Sequence, residues 1–307
     1  VIRVAVTGAS GRLGRALVSA AAAAPEAAPE ASVAVAIGWS RPDFDLDRPD
    51  RFAGLVREAR PDVVIHAAAW TDVDGCARDP GLAMRRNGDA TAALATACAA
   101  AGVDLVAIST NEVFDGRRAD GRGYGPADPV GPINAYGESK LAGEVRAREA
   151  YAGLARTGSH LSIVRTAWLF GPPGADFPAK ILAAAERARA MGEPLRVVLD
   201  ETGSPTYAAD LAAAILRFVA DGPRSGTFHV VNAGTASRSA WAREILRLAG
   251  LTIPIEEISA SSWDRPSRAP RWAVLEHSPD FGPPLRDWRD ALAAHLVGIP
   301  RAGAGVG

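Results

Sequence analysis

The stretch "IRVAVTGASGRLG", residues 2–14, decides how the rest of the chain is read. Ile2 to Thr7 form a short β-branched run of the kind found in buried parallel strands. Gly8, Gly11 and Gly14 follow, and "RALVSAAAAA" continues with helical spacing. A strand that passes through closely spaced glycines into a helix suits a tight turn. It also suits close approach of a pyrophosphate to the helix N-terminus. A βα turn without a ligand can carry the same letters. The position after the first strand of a βαβ unit favours the dinucleotide reading.

Working outward, the same alternation repeats. "SVAVAIG" (32–38) is a second strand, "DRFAGLVREARP" an amphipathic helix, and "DVVIHAAA" a third strand. A long helix is predicted over 81–102, closed by Gly102. "VDLVAIST" is a fourth strand, and a glycine- and proline-rich loop covers about 115–133. A helix from Asn134 to about Ala155 leads to the strand "HLSIVRTAW". Strand and helix alternating in this way predict an α/β fold, a Rossmann-like doubly wound parallel sheet. Beyond Gly171 the pattern loosens into a smaller, mixed α/β substrate lobe. The expected division is a NADP-binding domain over 1–168 with a segment at about 207–233 returning to it. The lobe takes 169–206 and 234–300, and 301–307 is expected to be a disordered tail.

Composition narrows the function classes. The chain has 307 residues, a net charge of −1 and 48% hydrophobic residues, an ordinary globular balance. Neither a nucleic-acid partner nor a membrane is expected: there is no strongly basic face and no apolar run of membrane-spanning length. Cys76 and Cys98 both lie in alanine-rich helical context, which suggests buried thiols in a reducing compartment. With a strand at the very start and no leader expected, the location predicted is cytoplasmic.

Lysine is nearly absent: 32 of the 34 basic residues are arginine, and only Lys140 and Lys180 depart from that bias. Lys140 stands four residues after Tyr136, one of four tyrosines, so both share a helix face. A tyrosine ionises near ~10, and an adjacent ammonium favours its phenolate. Such a tyrosine can hand a proton to a carbonyl oxygen as a hydride reaches the carbon. The ammonium can also hold the nicotinamide ribose, a task for which arginine's planar fork is a poor substitute. Ser109 or Thr110, at the end of the fourth strand, could polarise the carbonyl. After the second strand the chain reads Gly38, Trp39, Ser40, Arg41, without the acid that commonly bonds a ribose 2′-hydroxyl. Arg41 suits a 2′-phosphate, so NADPH is expected, with NADH as the alternative.

These residues resemble the extended short-chain dehydrogenase/reductases, whose glycine spacing the loop shares. More closely, the chain is similar to the dTDP-4-dehydrorhamnose reductase family over about residues 2–275. "PDVVIHAAAWTDVDGCARDP" resembles that family's third-strand segment, with His66 where asparagine is usual. "STNEVFDG", "NAYGESKLAGE", "VRTAWLFG" and "VVLDETGSPTYAADLA" resemble four more of its segments. The resemblance implies a catalytic trio of Thr110, Tyr136 and Lys140. It implies that Gly8, Gly11, Arg12, Leu13 and Gly14 hold the pyrophosphate, that Asp45 and Leu46 flank the adenine, and that Ala67, Ala68 and Ala69 line the cofactor. Asn111, Glu112 and Trp168 would contact a nucleotide-sugar, with Thr71 and Val73 lining its pocket. Glu112 and Glu201 depart from the usual tyrosine and glutamine. Ala16 replaces a glutamate that some members use around magnesium, so no metal site is expected. The implied activity is reduction of a nucleotide-linked 4-keto-deoxysugar by a monomer or homodimer, most directly dTDP-4-dehydro-L-rhamnose. Another 4-keto sugar nucleotide is the near alternative. A non-catalytic subunit, like the regulatory subunit of methionine adenosyltransferase, is the distant one.

Overall fold

A computed structural model describes residues 2–23, 33–153, 158–262 and 264–297. The expected tail at 301–307 lies outside the described residues. β1 (Ile2–Thr7) turns into α1 (Arg12–Ala23), β2 (Val33–Trp39) into α2 (Phe52–Ala59), and β3 (Val63–His66) into α3 (Val73–Arg78). Helix α3 had no sequence signal of its own. The stretch predicted as one helix over 81–102 is α4 (Pro80–Ala83), a π-helical turn at Met84–Asp89, and α5 (Ala90–Ala100). β4 (Asp104–Thr110), α6 (Ala135–Ala152) and β5 (Leu161–Thr166) follow.

The second half holds β6 (Leu169–Phe170), α7 (Phe177–Met191), β7 (Leu195–Val198), β8 (Thr202–Gly203), β9 (Thr206–Tyr207), α8 (Ala208–Ala220) and β10 (Gly226–His229). β11 (Asn232–Ala233) and β12 (Ala236–Ser237) lead into α9 (Arg238–Ala249). β13 (Ile255–Ile258), β14 (Trp272–Ala273) and β15 (Leu285–Asp287) precede α10 (Trp288–Val297). No helix among the described residues is long and apolar enough to cross a membrane.

Six strands form the main sheet in the order β10-β5-β4-β3-β1-β2, each neighbour parallel. This is a Rossmann-like doubly wound α/β sheet. Side chains alternate across a strand, so each strand feeds two cores. Val4 and Val6 join Leu17 of α1 and Leu211, Ile215 and Phe218 of α8. Ala5 faces the opposite layer, with Phe52 and Val56 of α2 and Leu94 and Cys98 of α5. The stretch 208–229 therefore returns to the sheet: α8 covers one face and β10 pairs with β5. A third core, built on Phe170, Ile181, Leu195, Trp241, Ile245 and Trp288, belongs to the small elements beyond β5.

The C-terminal ends of β1, β3, β4 and β5 bring Thr7, His66, Thr110 and Thr166 to one edge of the sheet. The lobe spans that edge. Arg265 pairs with Asp74 at 3.1 Å, and Asn134 donates to the carbonyl of Arg268 at 2.8 Å. Ile215 is fully buried in the seam between α8 and the sheet. Ile215→Ala should lower unfolding free energy by about 2–5 kcal/mol, read from urea denaturation. A loss near zero would mean that α8 is not part of the sheet's core.

Candidate functional site

Close backbone approach shapes the first part of the site. Gly8 has φ +65°, and a Cβ there would lie 2.8 Å from Ala68 Cα. A Cβ on Gly14 would lie 2.1 Å from the Gly8 carbonyl oxygen. Thr7 Oγ1 accepts from the Ala68 N–H at 3.1 Å and shares a 2.8 Å bond with His66 Nδ1; His66 Nε2 meets Thr91 Oγ1 at 3.0 Å. Burial, and secondarily the ammonium of Lys140, pull the imidazole down to about 3, so it stays neutral. Above this floor is a cavity of about 250 Å³ lined by Gly8, Gly11, Arg41, Asp45, Leu46 and the Ala67–Ala69 backbone, among others. Glycines without room for side chains, a helix N-terminus and an adjoining cavity together fit a dinucleotide.

Two of the expected pyrophosphate residues are placed differently from the simplest reading. Leu13 is buried in the sheet's core, so only its backbone is free to face a phosphate. The guanidinium of Arg12 donates to the carbonyls of Gly171 and Pro173, tying the glycine loop to the lobe. Arg41 is exposed on the cavity rim.

The groups expected to react come from β4 and α6. Thr110 ends β4 and caps the turn that follows, its hydroxyl accepting from the Glu112 N–H at 3.2 Å. Asn134 caps α6 through the Gly137 N–H at 2.8 Å. Glycine is required at 137: a Cβ there would lie 2.1 Å from the Glu112 carbonyl oxygen. The Tyr136 hydroxyl lies beside the Thr110 side chain, and Lys140 Nζ donates to the Ile108 carbonyl at 2.7 Å. The structure thus brings Thr110, Tyr136 and Lys140 together.

Their ionisation departs from the expectation that the ammonium would lower the phenol. Burial, then the charge of Glu112, push Tyr136 above its ordinary value; the Thr110 bond only partly opposes them. Lys140 is itself pulled down to about 8 by burial, with Glu144 opposing. Sequence reasoning also missed Asn87, in the π turn. Its amide bonds both Trp70 backbone groups and donates to Ser139 Oγ at 3.1 Å. An Asn-Gly pair inside a helical stretch was the available signal, because neither residue favours a helix interior.

Two residues beyond Thr166 at this edge stands Trp168, with φ +41°. Its ring stacks on Trp241 at 5.7 Å, and the Arg238 guanidinium lies 3.5 Å from its centroid. A Cβ on Gly203 would lie 2.5 Å from that ring. Arg238 pairs with Glu201 at 3.2 Å. Both line a cavity of about 740 Å³ with Thr71, Asp74, Lys180 and Arg265. Asn111 Nδ2 is buried and has no hydrogen-bond partner among the described residues. Val73, half-buried at the start of α3, lines neither cavity.

The profile of the RmlD substrate binding domain matches residues 2–299. A dTDP-4-dehydrorhamnose reductase of Streptomyces griseus is 37% identical, over 94% of this chain and 90% of the relative. The chain belongs to the dTDP-4-dehydrorhamnose reductase family. A dTDP-4-keto-6-deoxy-D-glucose reductase of Streptomyces niveus is 35% identical, over 94% of each chain. A crystal structure of the Bacillus anthracis dTDP-4-dehydrorhamnose reductase in complex with NADP superimposes with a TM-score of 0.84 at 30% identity. It covers 97% of this chain and 99% of that one. The protein is accordingly an oxidoreductase of this family.

Of the two carboxyls expected to depart from the family pattern, Glu112 is the one beside Tyr136. Its Oε2 accepts from Asn134 Nδ2 at 2.6 Å. Burial raises its carboxyl above the usual range; the Asn134 bond and Arg238 pull it back, and Glu201 adds to the rise. A carboxyl raised on folding contributes stability that is present below its unfolded value and is lost as pH rises through its folded value. Glu112→Gln keeps an acceptor for Asn134 and deletes the charge. We expect the variant to resist urea better than wild type at neutral pH, with the gain narrowing toward acid. A wild type that is the more stable protein at neutral pH contradicts this account.

Proposed function

We propose that this protein reduces the C4 keto group of a nucleotide-linked deoxysugar with NADPH, most directly dTDP-4-dehydro-L-rhamnose to dTDP-L-rhamnose. The observation that carries the proposal is the meeting of Thr110, Tyr136 and Lys140 at the sheet edge that also carries the glycine loop. The sheet body serves the cofactor and the lobe serves the sugar nucleotide. Gly8, Gly11, Gly14, Arg12 and the Leu13 backbone hold the pyrophosphate at the start of α1. Asp45 and Leu46 flank the adenine, Arg41 meets the 2′-phosphate, and Ala67–Ala69 line the inner wall. When bound, the cofactor supplies the hydride.

The chain's own residues supply the rest. Burial keeps Tyr136 protonated, the state a proton donor needs. Thr110 donates to the carbonyl oxygen, and Tyr136 gives that oxygen its proton. Lys140 holds the nicotinamide ribose and favours the phenolate left behind. Asn111, whose Nδ2 has no partner among the described residues, Glu112 and Trp168 contact the sugar. Thr71 lines the approach.

A second reading keeps the chemistry and changes the sugar. It is favoured by two carboxylates, Glu112 and Glu201, close enough to raise Glu112's affinity for a proton. Loss of NADPH absorbance with dTDP-4-dehydro-L-rhamnose and with dTDP-4-keto-6-deoxy-D-glucose separates the two. Turnover of neither, nor of any other 4-keto sugar nucleotide, sinks both.

Tyr136→Phe removes the proton donor and keeps the ring. Its kcat should fall by roughly 10²–10⁴ with little change in cofactor affinity; near-wild-type turnover ends the mechanism. Arg41→Ala should weaken NADPH binding roughly ten- to hundredfold while leaving NADH little changed, as titration of each cofactor would reveal. Equal affinity of the wild type for the two cofactors refutes the role of Arg41.

A further inference from the structure

Glu144 lies four residues beyond Lys140 on α6 and is 3% exposed. Its carboxylate takes two bonds from Arg165 of β5, at 2.9 and 2.7 Å, and one from Ser109 Oγ at 2.6 Å. Arg148 adds a fourth at 3.2 Å. A carboxylate this enclosed, bonded on both oxygens, stays ionised: Arg165 and Ser109 hold it below its ordinary range against burial.

The partners fall in a pattern. Three consecutive residues of β4 each engage a different position of α6. Thr110 lies beside Tyr136, the Ile108 carbonyl accepts from Lys140, and Ser109 donates to Glu144. The first two contacts hold the reacting groups, and the third holds nothing that reacts. We infer that Glu144 is a positioning residue: it locks the register of α6 on β4 and, as a buried counter-charge one turn away, keeps Lys140 an ammonium.

Lys140 has little else to do this. It is 5% exposed, and the Ile108 carbonyl is its one hydrogen-bond partner among the described residues. His66 of β3 is neutral, and burial pushes the Cys76 thiol of α3 up to about 11, so neither offers a charge. Tyr136 is held protonated. Arg165 and Arg148 bond the carboxylate of Glu144. That leaves Glu144 as the group opposing the effect of burial on the ammonium.

The inference rests on the proposed role of Lys140, but it can be tested without turnover. The chain has only two lysines, so lysine-selective 13C labelling of the whole protein yields two Cε signals, assigned with Lys180→Arg. In the wild type Lys140 should titrate at about 8. Glu144→Gln should move that point down by about one pH unit, the size expected for loss of a nearby opposite charge. Glu144→Asp, which keeps the charge, should restore most of it. In kinetics, the alkaline limb of turnover should move in the same direction and by the same amount. If Glu144→Gln leaves Arg165 too destabilised to fold, Glu144→Gln with Arg165→Met removes both buried charges and is titrated instead. An unmoved Lys140 signal in a folded variant overturns the inference, and so does an Asp variant as depressed as the Gln one. A wild type inactive on every 4-keto sugar, with the Lys140 shift present, condemns the functional reading and leaves the positioning role standing.

Discussion

An ammonium buried at the end of a parallel strand is expensive unless a dipole or a charge holds it. Lys140 donates to the Ile108 carbonyl at 2.7 Å and has Glu144 one turn away, and much of the site depends on that arrangement. It makes β4 and α6 a single unit, because three successive strand residues are committed to the helix. It also reaches β3. The ammonium helps keep His66 neutral, and His66 fixes Thr7, which accepts from the Ala68 N–H on the cavity wall. The floor of the glycine-loop cavity and the β4–α6 unit are thus one layer, joined by the charge of the ammonium and by the hydrogen bonds of His66 and Thr7.

The lobe is attached to that layer by contacts that cross the cleft. Arg12 bonds the Gly171 and Pro173 carbonyls, Asp74 receives Arg265 and the Ser267 N–H, and Asn134 reaches the Arg268 carbonyl. Asp176 continues the path: it caps α7 and accepts from the Gly171 N–H at 2.8 Å. Trp168 is fixed between Arg238 and Trp241, and Gly203 leaves it room. The same glycine loop that suits a phosphate is therefore linked to the helix that lines the larger cavity. In a family whose members act on sugar nucleotides, Glu112 and Glu201 stand out because they place carboxylates beside that aromatic platform and the tyrosine.

Much of this could be read from short stretches. Gly8, Gly11 and Gly14 sit in a strand–turn–helix because no side chain fits there, a local requirement that shows in the letters. Tyr136 and Lys140 share a helix face because four residues make about one turn. The parallel sheet followed from β-branched runs alternating with helical spacing. The π turn at Met84–Asp89 was invisible because its period differs from that of an α-helix by only a fraction of a residue. Helix α3 was missed because six residues carry too little periodicity. Asn87, Arg238 and Glu144 went unassigned because their partners are distant in the chain: Ser139 for the first, Trp168 for the second, Arg165 for the third.

By itself the sequence determined the fold class, the glycine loop, the spacing of Tyr136 and Lys140 and the family, all of which rest on neighbours within a turn or a strand. Tertiary structure alone decided the charge states. The chemistry of a tyrosine four residues before a lysine suggested a lowered phenol. Burial between β4, α3 and α6, with Glu112 at hand, raises it instead and pulls the lysine down. The reason is physical: which residues share a helix face follows from local spacing, but desolvation depends on which distant segments exclude water, and that exists only once the chain has folded.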